Sequence, residues 1–216
     1  MSVGILRPND RYAIIAKSRA GKTALAAVIA GTFARALSPP WEVWISETKH
    51  DPADVAMFRK WGARNAASER DLASSALPNF KYFVLEKDGD KSVVDQVQDL
   101  CEAAYARKHV LLVLDEYVSS VPSTRSAGES LLNVFQRGGG RNVGLIGLTQ
   151  EPVYVPRQLI SQATHLFIMS LTFNHDIVYV RKLNPAYVPP IKMGDPYGFY
   201  YQYIDGGGEL VYYPNQ

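Results

Sequence analysis

The chain has 216 residues, a length that suits one domain of ordinary size, and 47% of them are hydrophobic, which is typical of a folded protein. Its net charge of +2, from 23 basic and 21 acidic residues, is too balanced to predict nucleic-acid binding by itself. A single cysteine, Cys101, excludes an internal disulfide, and no apolar run approaches the roughly 20 residues of a membrane-spanning helix.

The hydrophobic pattern predicts alternating strands and helices over the first 171 residues, although residues 62–79 show no clear period. The predicted strands cover residues 12–16, 41–46, 81–85, 110–114, 143–148 and 166–169. The predicted helices cover residues 25–36, 53–61, 93–106, 129–136 and 156–162. The strand at 110–114 is wholly apolar, as in a central parallel strand covered on both faces. This alternation predicts an α/β fold with a mainly parallel central sheet and helices on both faces.

The segment between the first strand and the first helix has the pattern of a phosphate-binding loop, although a chance Gly-Lys-Thr at a helix start is the alternative. Backbone N–H groups of the turn would face an anion, Lys22 would reach the β- and γ-phosphates of ATP, and the Thr23 hydroxyl would hold Mg²⁺. Ala16 stands where the pattern has glycine, and its methyl group would cost about 1–2 kcal/mol if the position needs a positive φ. The candidate cofactor-binding residues are Ala16, Lys17, Ser18, Arg19, Ala20, Gly21, Lys22, Thr23 and Ala24.

Acidic and amide side chains follow two of the buried strands. Asp115 and Glu116 come directly after one of them, and Gln150 follows the next. Because ligands of parallel sheets bind at the carboxyl ends of the strands, we expect these groups to meet Lys22 at one edge. Asp115 would complete the metal site with Thr23. Glu116 would accept a proton from the attacking water and Gln150 would orient it, which favours hydrolysis over transfer to an acceptor; polar residues that merely start surface loops are the alternative.

Arg137 and Arg141 flank three glycines before the strand at 143–148. Charge that spreads over the γ-phosphoryl oxygens needs a further cation, which a neighbouring subunit can supply as an arginine finger. An arginine on a glycine-rich loop could reach across such an interface. A solvated basic turn is the alternative.

From residue 172 onward the chain becomes rich in Tyr, Pro and Gly. Residues 199–203 and 209–213, on either side of a glycine-rich loop, predict a β-hairpin. We therefore predict a core of residues 1–171 and a C-terminal extension of residues 172–216 that packs on the same domain.

Three segments together resemble the HerA/FtsK superfamily of motor ATPases: residues 16–23, 111–116 and 138–152. The third is the most specific, because it carries a basic turn, an apolar strand and Thr149-Gln150-Glu151-Pro152. The resemblance covers most of residues 11–171. The short chain, without accessory domains, is similar to the genome-packaging ATPases of membrane-containing double-stranded DNA viruses.

The resemblance implies a RecA-like P-loop NTPase fold and ATP hydrolysis with Mg²⁺ in a homo-oligomeric ring, commonly a hexamer, with double-stranded DNA passing through a central pore. The family's roles would fall on Lys22 and Thr23 (phosphate loop), Asp115 (metal), Glu116 (base), Gln150 (sensor) and Arg141 or, second, Arg137 (finger). A capsid vertex or viral membrane proteins would be partners. The location would be the host cytoplasm or the packaging vertex of the virion, and we expect no transmembrane segment.

Other functions stay open at this point. A segregation or conjugation ATPase would share the chemistry but usually brings membrane or accessory domains. A nucleotide or small-molecule kinase would need an acceptor site and a lid with paired arginines, and a non-catalytic module would bind nucleotide without turnover. One basic region either lines a DNA pore or is an ordinary solvated surface. It consists of Lys49, His50, Arg59, Lys60, Arg64 and Arg70.

Overall fold

One β-sheet runs through the part of the chain that the structure describes. This computed structural model describes residues 6–37, 41–48, 51–72, 74, 79–85 and 90–215, the side chains of residues 69 and 70 excepted. The strands are β1 (Arg11–Ile15), β2 (Glu42–Glu47), β3 (Arg64–Asn65), β4 (Phe80–Val84), β5 (Val110–Leu114), β6 (Val143–Thr149), β7 (His165–Ile168), β8 (Phe199–Tyr203) and β9 (Val211–Tyr213). The α-helices are α1 (Lys22–Ala36), α2 (Pro52–Lys60), α3 (Glu69–Leu72), α4 (Val93–Arg107), α5 (Tyr117–Ser120), α6 (Glu129–Arg137), α7 (Arg157–Ser161) and α8 (Asn174–Leu183). Short 3₁₀ helices cover Gly138–Arg141, Pro152–Tyr154 and Pro190–Met193.

The strand order places β1 between β6 and β7, next to the last strand of the parallel part of the sheet. The order is β3-β4-β2-β5-β6-β1-β7-β8-β9. Neighbours are parallel from β3 through β7, whereas β8 runs antiparallel to both β7 and β9. The predicted fold class, an α/β fold with a mainly parallel central sheet, is therefore confirmed.

Apolar side chains cover both faces of the sheet. Every residue of β5 is buried, with Leu112 and Leu114 facing one layer of the core and Leu111 and Val113 facing the other. The helix α1 packs in the second layer, and α4, α6 and α8 pack in the first. Cys101 of α4 is wholly buried in the first layer, and this burial raises the pKa of its thiol. The apolar run thus forms the central strand that the sequence predicts.

The structure differs from the sequence predictions mainly in short elements. Residues 62–79 have no clear hydrophobic period, yet β3 and α3 lie within them. The helices α5 and α8 were not predicted: α5 is a single turn, and α8 lies just before a Tyr- and Pro-rich segment, with which the sequence analysis grouped it. Of the basic region, Lys49, His50 and the side chain of Arg70 lie outside the described residues.

The predicted C-terminal hairpin is present and extends the sheet beyond β7. Ile168 of β7 pairs with Tyr200 of β8, and Phe199 pairs with Tyr213 of β9. Because β8 runs against β7, its first residue lies at the carboxyl edge of the parallel strands. The segment just before β8 therefore reaches the edge where ligands of such sheets bind.

The division of the chain at residue 171 stays a prediction. In the described ranges, no helix is both long enough and apolar enough to cross a lipid bilayer.

Candidate active site

The loop between β1 and α1 presents a helix N-terminus at the carboxyl edge of the parallel strands. Gly21, which precedes α1, adopts a φ of 93°, and Arg19 adopts a φ of 60°. Among the described residues, no side chain caps α1, and its first turn carries no acidic residue. The backbone N–H groups of a helix N-terminus can bind an anion, and Lys22 stands at this one with only 5% of its surface exposed.

The loop is tied to both neighbours of β1. The Ala16 N–H donates to the Thr149 carbonyl at 3.0 Å, and the Lys17 N–H donates to the Ser170 carbonyl at 2.8 Å. Ala16 is not among the described residues with positive φ, and it is buried beside Ala20 and Met169. The methyl group at the position where the pattern has glycine therefore fits without backbone strain.

An oxygen pair suited to Mg²⁺ stands next to the loop. The Thr23 hydroxyl donates to Asp115 Oδ1 at 3.5 Å, and both side chains are buried. Hydroxyl and carboxylate oxygens are the donors that Mg²⁺ prefers, and this ion usually keeps several waters and binds phosphate oxygens as well. The described residues contain no cluster of three or more His, Cys, Asp or Glu that could hold a metal by itself. The donor set therefore fits a Mg²⁺ ion that arrives with a nucleotide.

Glu116 and Gln150 meet at the same edge. Gln150 Nε2 donates to Glu116 Oε2 at 3.4 Å, and Glu116 has 8% of its surface exposed. The two residues follow neighbouring strands, because β5 pairs with β6. The Ser120 hydroxyl donates to the Glu116 carbonyl at 2.6 Å, which fixes the backbone where β5 ends. A carboxylate and an amide in contact can together hold a water molecule and accept its proton.

A glycine on β6 makes room for the residue that follows Glu116. A Cβ atom at Gly147 would come within 1.7 Å of the ring of Tyr117, which is wholly buried. We expect Gly147→Ala to lower the free energy of unfolding by about 1–3 kcal/mol because the methyl group overpacks this contact. Urea denaturation measures the change. Gly140→Ala is the control, since a Cβ there meets nothing within 4 Å, and it should stay within about 0.5 kcal/mol of wild type. Equal losses for both variants would contradict this account.

The segment after Gln150 is held by α8. Asp176 in the first turn of α8 is buried against this segment, where it accepts a hydrogen bond from the Val153 backbone. Desolvation raises the pKa of Asp176, and the nearby His175 and the Val153 N–H oppose that rise. The His175 Nε2 atom lies 3.5 Å from the Asp176 carboxylate. A helix of the predicted extension thus packs on the turn Pro152–Tyr154.

A cavity of about 560 Å³ lies over the loop and extends to Gln150. Its described lining includes Gly21, Lys22, Thr23, Gln150 and, from a different part of the chain, Tyr197. The first turn of α2 supplies the opposite wall.

Arg137 and Arg141 are not brought to this edge within the chain. They precede β6, whereas Gln150 follows it, so the two arginines lie at the opposite edge of the parallel strands. Arg141 Nε donates to the Tyr105 carbonyl at 2.9 Å, and its guanidinium lies 4.6 Å from the centre of the Tyr105 ring. Arg137, in the last turn of α6, is exposed. A role for either arginine at a neighbouring subunit's phosphate stays a prediction.

Glu47 is a site candidate that the sequence analysis missed. It ends β2 and is wholly buried, and the Asp115 N–H donates to the carbonyl of the preceding Ser46 at 3.3 Å. Alternation along β2 and β5 places Glu47 and Asp115 on the same face of the sheet as α1. An acid directly after a predicted strand was the available signal, but Glu42 and Ser46 made that strand less clearly a buried one.

Comparisons with known proteins agree on the fold. No protein-family model matches the sequence, and no curated protein matches it. Among solved structures, the genome packaging NTPase B204 of Sulfolobus turreted icosahedral virus 2, in complex with AMPPCP, is 14% identical; the alignment covers 98% of this chain and 100% of that one, with a TM-score of 0.71. The DNA-packaging ATPase B204 of Sulfolobus turreted icosahedral virus is 16% identical over 98% and 100% of the two chains, with a TM-score of 0.72. The EssC ATPases 2 and 3 of Geobacillus thermodenitrificans are 12% identical over 94% of this chain and 39% of that one, with a TM-score of 0.57.

Proposed function

We propose that this chain is an ATP-hydrolysing motor that translocates double-stranded DNA during viral genome packaging. The observation that carries the ATPase part is the contact between Gln150 and Glu116 beside the Thr23–Asp115 pair, all at the mouth of a phosphate-binding loop. The packaging part is supported by the likeness to the two B204 structures, which extends over nearly the whole length of both chains.

Each side chain has a role in this proposal. The N-terminus of α1 and Lys22 bind the β- and γ-phosphates, and the charge of Lys22 stabilises the negative charge that develops on them. Thr23 and Asp115 would hold Mg²⁺, which would neutralise phosphate charge. Glu116 accepts a proton from the attacking water, and Gln150 orients that water toward the phosphate.

A homo-oligomeric ring, with six subunits as the family resemblance implies, would supply the missing cation. The exposed Arg137 is the better candidate for the finger, since Arg141 is already engaged by Tyr105. The ring would act in the host cytoplasm or at the packaging vertex, with capsid or viral membrane proteins as partners.

The principal alternative is another DNA-translocating ATPase of the HerA/FtsK type. The likeness to the EssC ATPases favours it, but the TM-score is lower and this chain covers much less of that protein. A kinase is less well supported, because the contact between Glu116 and Gln150 suits a water molecule better than a phosphate acceptor.

The test is ATP turnover of the purified chain with and without linear double-stranded DNA. We expect phosphate release to rise when DNA is added and the rise to fall with increasing salt, because backbone phosphate contacts dominate such binding. Lys22→Ala is the control for contaminating activity and should show no DNA-dependent release. Wild-type turnover that equals the Lys22→Ala background, with or without DNA, would refute the motor function.

A further inference from the structure

We propose that Tyr197 is the platform on which the base of the nucleotide stacks. This inference rests on the proposed function, since it names the part of the same cavity that receives the base. Nothing in the sequence pattern marks Tyr197, which is one of several tyrosines in the C-terminal segment.

The cavity over the phosphate-binding loop has one aromatic wall. Of the described residues that line it, Tyr197 is the aromatic one. The opposite wall carries Asp51 and Asp54 from the start of α2, and carboxylates offer no face for a base. Tyr197 stands two residues before β8, at the carboxyl edge of the sheet, because β8 runs antiparallel to β7.

The direction of a bound nucleotide follows from the strand order. The phosphates belong at Gly21 and Lys22, where the helix N-terminus is open. Asp115, Glu116 and Gln150 follow β5 and β6, which lie on one side of β1. If the γ-phosphate points toward those three groups, the nucleoside extends to the other side of β1. That side is formed by β7 and β8, and Tyr197 lies there.

The turn that carries Tyr197 is braced, whereas its ring is open. Asp195 Oδ1 accepts from the Gly198 N–H at 2.9 Å, and Asp195 Oδ2 accepts from the Tyr212 hydroxyl at 2.6 Å and from the Asn215 N–H at 2.8 Å. These bonds join the turn to the last strand. The Tyr197 side chain is 55% exposed, and no residue in the described ranges forms a ring contact with it. A fixed backbone with an open aromatic face suits stacking at low entropic cost.

An aromatic ring that stacks on a base contacts its face and not the hydrogen-bonding groups at its edge. Such stacking therefore does not distinguish one base from another. We expect Tyr197 to contribute similarly to the binding of ATP and GTP and to contribute nothing to the binding of inorganic tripolyphosphate, which has the phosphates alone.

The test compares the binding of Mg²⁺-ATP and of Mg²⁺-tripolyphosphate by titration calorimetry. Tyr197→Ala should weaken ATP binding on the order of tenfold and leave tripolyphosphate binding unchanged. Tyr197→Phe keeps the ring and should bind ATP within about twofold of wild type. Tyr154→Ala removes another exposed tyrosine, one that does not line the cavity, and should leave both affinities unchanged. As a second readout, the indole fluorescence of Tyr197→Trp should change with ATP but not with tripolyphosphate.

The outcomes separate this inference from the proposed function. Tyr197→Ala with wild-type ATP affinity, or with an equal loss of affinity for both ligands, would overturn the base platform and leave the proposed function standing. Wild-type protein that binds neither ligand would overturn the proposed function and the platform with it. Melting temperatures of the Tyr197 variants should match wild type, since Tyr197 is more than half exposed.

Discussion

Glu116→Gln should lower ATP turnover by roughly 10²–10⁴-fold, the contribution typical of a positioned general base. Glutamine keeps the size of the side chain but cannot accept the proton of the attacking water. The phosphate-binding loop is untouched by the change, because Lys22 and the N-terminus of α1 lie on another element. ATP affinity should therefore stay close to wild type, and the loss should appear in kcat.

The measurement is steady-state phosphate release at saturating ATP, with ATP affinity determined separately by calorimetry. Glu102→Gln is the matched control, since Glu102 is an exposed acid on α4. The helix α4 packs on the face of the sheet opposite to α1, which follows the phosphate-binding loop. It should turn over ATP at the wild-type rate. If Glu116→Gln keeps wild-type turnover while it binds ATP normally, Glu116 is not the base. If the variant instead loses ATP binding, Glu116 contributes to the binding of ATP and not specifically to the transition state.

Glu42→Gln should lower the free energy of unfolding by about 3–5 kcal/mol, the usual cost of breaking a buried ion pair. Glu42 begins β2 and is 6% exposed. Its Oε2 accepts from Lys81 Nζ at 2.7 Å and from Trp44 Nε1 at 2.8 Å, and its Oε1 accepts from Arg107 at 2.6 Å. Lys81 is wholly buried, so the neutral variant would leave its charge with backbone carbonyls as partners.

The same network makes this part of the stability depend on pH. Burial opposes ionisation of Glu42, but the hydrogen bonds from Lys81, Trp44 and Arg107 outweigh it and hold the pKa of Glu42 below its ordinary value of 4.5. A folded-state pKa below the unfolded value means that the native state releases this proton more readily. The stabilisation is therefore fully present above the ordinary pKa and is lost as the pH falls through the folded value.

Urea denaturation of both proteins at neutral pH, and in steps below pH 4.5, checks both statements. The difference between wild type and Glu42→Gln should be largest at neutral pH and should shrink as the carboxyl group becomes protonated. Asp99→Asn is the control, because its partner Lys91 is 58% exposed and such surface pairs contribute about 0–1 kcal/mol. A Glu42→Gln loss no larger than that of Asp99→Asn would show that the network contributes little net stability.

Local patterns were sufficient for the phosphate-binding loop and for the strands that carry the acids. Lys22 and Thr23 stand in a strand–loop–helix context that spans few residues, and β5 is apolar at every position. The loop and the strand could therefore be predicted from residues that are close together in the sequence. Since the carboxyl ends of parallel strands share one edge, the meeting of Glu116 with Gln150 also followed from the pattern. The lesser elements were harder, because a single turn such as α5 has no period to read.

The remaining features depend on contacts between residues that are distant in the chain. The pattern did not show that Arg141 packs on Tyr105, because that contact requires α4 to lie beside the end of α6. The acid Glu47 became a site candidate when β2 was seen to pair with β5, because this pairing brings the end of β2 beside Asp115. Tyr197 reaches the cavity because β8 pairs antiparallel with β7. The sequence pattern of β8 does not state which strand it pairs with or in which direction. Hydrophobic periodicity states which face of an element is buried, but only packing in three dimensions selects the element that covers it.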